Sequence, residues 1–233
     1  MAKRKAGSYM SAGERLSGVI FLLVYMVVLP LAADPFFDLL GRLAGGSLSA
    51  GTRSVMTYGV LFLAAVMVFR KALGRACADL SDRLGPACRY LLVGLVGLYG
   101  MNELLARLSG LLTDSAVNLN DFTISARIDA PARLGFVVIV LLAPFVEEML
   151  FRGLVFGGLK GKSLPVAYVL SCVLFALSHV WGFAADSQTL TRFLVLVQYL
   201  VPGFVLSWSY DRSGTLWTPI ALHAVYNALA LWT

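Results

Sequence analysis

Seven apolar runs, most of them long enough to cross a lipid bilayer, leave this chain very few folds. They cover residues 16–33, 54–69, 90–112, 134–156, 165–183, 193–210 and 216–232. A hydrocarbon core about 30 Å thick takes roughly 17–25 helical residues, and inside it every backbone polar group must bond within its own segment. The runs do not alternate as barrel strands would, so each reads as a helix. The expected fold is an all-α, polytopic transmembrane bundle of about seven spans. Without internal repeats or low-complexity linkers, residues 1–233 read as a single domain, with the polar motifs confined to residues 134–233. Composition agrees: 59% of residues are hydrophobic, 14% are charged, and the mean hydropathy is +0.80. Soluble domains carry about a quarter charged residues, which excludes an ordinary globular protein.

Lys3, Arg4, Lys5 and Arg15 precede the first run, which exceeds the roughly 7–15 apolar residues of a cleavable signal and reads as an uncleaved anchor. With the N-terminus in the cytoplasm, the basic residues favour cytoplasmic loops by about two to one, and the C-terminus lies outside. That bias accounts for the net charge of +6. No basic stripe with interleaved aromatics points to nucleic acid. Cys77, Cys88 and Cys172 form no C-x-x-C pair and read as structural.

The fourth run carries Glu147, Glu148 and Arg152 within six residues. Each charge costs about 2.5–3.5 kcal/mol at the bilayer centre, so each needs a partner, and intramembrane ionisable groups point to function. Glu148 and Arg152, four apart, face the same way and form a natural ion pair. Glu147 lies about 100° round the helix and must find its partner on another helix. Pro144, one turn earlier, donates no backbone hydrogen bond and is expected to loosen the helix, opening a carbonyl and some room beside Glu147.

The only two histidines, His179 and His223, fall in later apolar runs, and His223 shares a helix face with Asn227. Each could be a satisfied core residue or a member of one intramembrane site. In the second case, a carboxylate and an imidazole flanking a water can take its proton as it attacks a carbonyl. A further imidazole and an amide N–H can then stabilise the oxyanion. That set suits peptide hydrolysis without a covalent intermediate. Ser171 and Ser178 lack a base-and-orienter arrangement, which argues against a serine nucleophile.

Glu147-Glu148-x-x-x-Arg152, Phe175-x-x-x-His179 and His223-x-x-x-Asn227, in that order on separate helices, resemble the CAAX-processing and bacteriocin-processing (CPBP, or Abi) family of glutamate-type intramembrane proteases. The motifs cover roughly the last 90 residues. The resemblance implies a conical helical bundle in which Glu147 and His179 activate water. It also implies that His223 and Asn227 form the oxyanion hole, and that Glu148 and Arg152 assist or hold the site. The implied partner is a membrane-associated protein or peptide substrate, processed in CAAX fashion or at a leader or C-terminal anchor. No cofactor or metal is implied. The short chain looks most like a bacterial member, residing in the cytoplasmic membrane.

Three other readings use the same residues. A zinc site could draw on His179, His223 and a glutamate, although no His-Glu-x-x-His helix is present. A transporter or proton relay could use buried carboxylates and imidazoles, although such folds often show repeats and broken helices. A non-catalytic immunity or interaction protein could keep the scaffold. Elsewhere, Glu103 is expected to pair with Arg107 beside Asn102, and Gln198 and Tyr199 to bond between helices. Gly153 and Gly157 should permit close helix approach, while Trp181, Trp208, Trp217 and Trp232 should sit at the interfaces.

Overall fold

In a computed structural model of the protein, residues 10–112, 132–180 and 189–231 are described. Trp181, Trp232 and Lys3, Arg4 and Lys5 lie outside them. The described residues form eight helices and no strand. These are α1 (Ala12–Leu43), α2 (Ala50–Val68), α3 (Arg70–Ala78), α4 (Leu80–Leu112), α5 (132–159), α6 (Leu164–Val180), α7 (Thr189–Ser213) and α8 (Trp217–Ala230). All seven expected spans are found as helices. Five, in α1, α2, α4, α5 and α7, are long and apolar enough to cross a bilayer, α6 is a shorter apolar helix, and α8 has 14 residues. The chain is an integral membrane protein by this measure and by its composition.

The connection between the second and third runs departs from expectation. Residues 70–89, expected as a basic loop, are helical, forming α3 and the first turns of α4. The local sequence Arg70-Lys-Ala-Leu-Gly-Arg-Ala-Cys-Ala78 is rich in good helix formers. Its Ala72 and Ala76 are buried, Ala72 in the cluster that holds the fully enclosed Phe69. Glu14 fastens this end to α1. Its carboxylate accepts from the Ser11 N–H in a capping box, from the Ala72 N–H at 2.8 Å and from Arg75 at 3.3 Å. At the other end of α1, Arg53 on α2 pairs with Asp34 and Asp38.

Helix α5 is the centre of the bundle. Of its apolar window 72% is buried, against 11% for α1 and for α4, whose outer faces are left for lipid. Phe145, Met149 and Leu150 pack toward Phe21, Leu61 and Phe69 on one side. Phe151 packs toward Phe175, Leu206 and Leu222 on the other. Two small-residue contacts allow such close packing. A side chain at Gly157 would meet the Tyr210 hydroxyl and the Arg152 carbonyl at 3.2 Å, and one at Gly203 would meet Cys172 Cα at 3.1 Å.

Candidate active site

The backbone of α5 widens just before the acidic pair. Over Val137–Leu142 the hydrogen bonds run in π register, with the Ala143 N–H reaching the Val138 carbonyl. In that register the next partner of the Ile139 carbonyl would be the nitrogen of Pro144, which has no hydrogen. The Asn227 side-chain amide fills the role, donating to Ile139 O at 3.0 Å. Pro144 therefore opens a carbonyl, as the sequence predicts, and a residue of the third motif is what closes it. A second π segment, Met149–Phe156, follows the acidic pair and carries Arg152.

Glu148 and Arg152 are both fully buried, and Arg152 Nη1 donates to Glu148 Oε1 at 2.8 Å. Arg152 Nη2 donates to the Gly203 carbonyl at 3.0 Å, and its guanidinium lies 4.4 Å over the Phe175 ring. The same Glu148 oxygen is 2.9 Å from His223 Nδ1. Glu148 thus holds both its helix neighbour and the third motif. Glu148 Oε2 and Arg152 Nε are buried without a hydrogen-bond partner among the described residues.

Glu147 faces three other elements. The Tyr25 hydroxyl on α1 donates to its Oε1 at 3.1 Å. Its Oε2 lies 3.6 Å from His179 Nε2 and 3.9 Å from His223 Nε2. His179 Nδ1 is 2.8 Å from the Phe175 carbonyl, which only accepts, so Nδ1 carries a hydrogen. The His223 Nδ1 likewise donates to the carboxylate of Glu148. In their neutral forms both rings therefore turn a bare Nε2 toward Glu147, and either can donate from Nε2 only as imidazolium. Arg152 balances one carboxylate, so a neutral cluster needs one more proton among Glu147, His179 and His223.

Aromatic rings fix the imidazoles. His179 stacks on Tyr199 with centroids 4.3 Å apart, and Phe175 lies 4.5 Å from His179 and 5.9 Å from His223. The site thus gathers Glu147, Glu148, Arg152, His179 and His223, with Asn227 bonded one turn away. Tyr25 is the site residue that sequence reasoning missed. Its signal is a lone phenol in an apolar run, five residues before Pro30, the spacing that separates Ile139 from Pro144.

The remaining residues behave variously. Ser171 donates to the Phe151 carbonyl and Ser178 to the Phe175 carbonyl. Ser178 Oγ also lies 3.2 Å from His179 Nδ1, but that nitrogen is already a donor and is no base for it. Glu103 pairs with Arg107 at 2.7 Å as expected. Asn102, Gln198 and Tyr199 line a small cavity with Pro202 and Tyr226. Trp208 packs edge-on against Tyr90, and the indole N–H of Trp217 is enclosed without a partner among the described residues. No group of three His, Cys, Asp or Glu among the described residues is arranged to hold a metal ion.

Comparison with known proteins centres on the same stretch. Residues 130–229 match the family described as type II CAAX prenyl endopeptidase Rce1-like. The chain is similar to the UPF0177 protein YxdF of Lactococcus lactis subsp. lactis, with 31% identity over 39% of this chain and 44% of the relative. It is also similar to the UPF0177 protein in the abiGi 5' region of Lactococcus lactis subsp. cremoris, with 33% identity over 40% of this chain and 35% of the relative. A third relative, the candidate membrane peptidase YdiL of Bacillus subtilis, is 29% identical over 42% of this chain and 36% of its own length. The chain thus spans less than half the length of the curated relatives it matches. No solved structure matches it. Over residues 130–229 the chain is thus similar to an Rce1-like family, a likeness carried by the stretch that holds its three motifs.

Proposed function

We propose that the chain is a glutamate-type intramembrane endopeptidase that hydrolyses a peptide bond in a membrane-associated protein or peptide. The observation that carries this reading is the approach of His179 and His223, from two other helices, to within 3.6 and 3.9 Å of one oxygen of Glu147. A water bound at Glu147 Oε2 and His179 Nε2 gives its proton to Glu147 as its oxygen attacks the scissile carbonyl. His223, as imidazolium, donates from Nε2 to the resulting oxyanion. The tetrahedral intermediate then collapses, the C–N bond breaks, and the proton taken by Glu147 passes to the leaving amine. Asn227 has one amide hydrogen on Ile139 and a second to offer the oxyanion. Glu148 and Arg152 hold His223 in place and keep the local charge balanced.

The Rce1-like match and the peptidase name of the Bacillus relative support the reaction class. The whole chain acts as one domain in the cytoplasmic membrane of a bacterium, with its N-terminus inside. Its substrate is a protein processed in CAAX fashion, or at a leader or C-terminal anchor. The test is comparative membrane proteomics of wild type against Glu147→Ala. The expected result is at least one protein that keeps a leader or C-terminal segment in the variant. Identical membrane proteomes, with all cellular function of the chain intact in Glu147→Ala, would refute the reading.

A further inference from the structure

We propose that Tyr25 is a positioning residue of the site, whose hydroxyl holds one oxygen of Glu147 so that the other faces both imidazoles. The inference rests on Glu147 as the group that takes the proton. A carboxylate with no anchor can rotate about its last bond and exchange its two oxygens. Tyr25 engages Oε1 at 3.1 Å, and the histidines approach Oε2.

The backbone of α1 is shaped for this contact. Residues Val24–Val28 run in π register, with the Leu29 N–H reaching the Val24 carbonyl, just before Pro30. The extra residue of a π turn re-aims the side chains around it, and such turns gather at functional sites. The Tyr25 ring then packs edge-on against Phe151, on the helix that carries Glu147, with centroids 6.1 Å apart. Tyr25 also lines a cleft of about 160 Å³ between α1, α2 and α6, with Met26, Leu29, Thr57, Tyr58 and Ser178. Tyr25 thus has two separable parts: a ring that packs on Phe151, and a hydroxyl that reaches the carboxylate. Only the hydroxyl positions Glu147.

The chain has only two histidines, so full-length protein bearing isotopically labelled histidine, purified without a histidine tag, gives a nuclear magnetic resonance readout of both imidazoles. Three variants separate the parts: Tyr25→Phe keeps the ring, Tyr25→Leu removes it, and Glu147→Gln marks the effect of losing the carboxylate. The expected result is that the Nε2 signals in Tyr25→Phe move toward those of Glu147→Gln. The Nδ1 signals, held by Phe175 and Glu148, stay in place. On a quenched-fluorescence transmembrane peptide cleaved by the wild type, Tyr25→Phe is expected to lower kcat on the order of ten- to a hundredfold. KM should stay within roughly twofold, because ground-state binding is untouched. A Tyr25→Phe spectrum superimposable on wild type, with only Tyr25→Leu disturbed, would overturn the proposal by leaving Tyr25 only the packing of its ring. A wild type that cleaves no peptide would remove the protease reading, while the spectra would still judge Tyr25.

Discussion

Replacing the two adjacent glutamates one at a time should give opposite phenotypes. Glu148→Gln removes the charge that faces Arg152 and holds His223 Nδ1. Both members of the ion pair are fully buried, so solvent screens neither. Breaking such a pair from one side costs about 3–5 kcal/mol, because it leaves an uncompensated charge in low dielectric. For a chain of this size each kcal/mol moves the midpoint by about 2–4 °C, so the unfolding temperature in detergent or nanodiscs should fall by about 6–20 °C. Glu147→Gln keeps a carbonyl oxygen to accept from Tyr25 and leaves Arg152 fully paired. Its stability should stay within about 1 kcal/mol of wild type. Cleavage, which in the proposed mechanism uses the lost proton acceptor, should drop by a factor on the order of 10²–10⁴. Scanning fluorimetry on purified variants, with quenched-peptide cleavage on the same samples, measures both. If Glu148→Gln melts with wild type, or Glu147→Gln is destabilised as much as Glu148→Gln, the division of the pair into anchor and base is wrong.

Three further measurements bear on neighbouring features. Pro144→Ala restores an N–H for the carbonyl that Asn227 now satisfies, so Asn227→Ala should cost about 1 kcal/mol less stability in a Pro144→Ala background than in wild type. A double-mutant cycle by thermal unfolding reads that coupling, and additive effects would reject the link. Gly157→Ala forces a methyl onto backbone and the Tyr210 hydroxyl and should cost about 1–3 kcal/mol. Gly153→Ala meets first the flexible end of Met10, at 2.9 Å, and should cost clearly less; equal losses would contradict the packing. Cys77 and Cys88 are exposed and Cys172 is buried. With the N-terminus inside, a membrane-impermeant maleimide should label Cys77 and Cys88 in inverted vesicles and not in intact cells, and the reverse pattern would invert the topology.

The sequence makes the intramembrane charges legible because lipid leaves them so few solutions. Glu148 and Arg152 sit four apart, and helix geometry alone pairs them. Glu147 lies off that face, which sends it to another helix, and the histidines are the only basic side chains in the later spans. Pro144 announces a freed carbonyl. What sequence spacing does not reveal is which group answers a backbone atom: Asn227 on Ile139 and Arg152 on Gly203 are bonds to carbonyls, which every residue possesses. The helical connection at residues 70–89 was hidden for a related reason. Its charges suit a loop, and its helix is held by Phe69 and Glu14, which lie outside it.

Two prolines, in α1 and α5, solve the same problem at the same place. A regular membrane helix has no spare backbone group and presents its side chains on a fixed spiral, so a catalytic carboxylate on it would face whatever that spiral dictates. Each proline here is preceded by a π segment, which adds a residue to the turn and rotates the side chains around it. The rotated side chains include Tyr25 on one helix and Glu147 on the other, and they meet. The carbonyl left over in α5 is taken by Asn227, so the cost of the distortion is offset by a residue one turn along α8 from His223. The distortions are therefore part of how a bundle of regular helices brings a carboxylate, two imidazoles and a phenol to a single point inside a membrane.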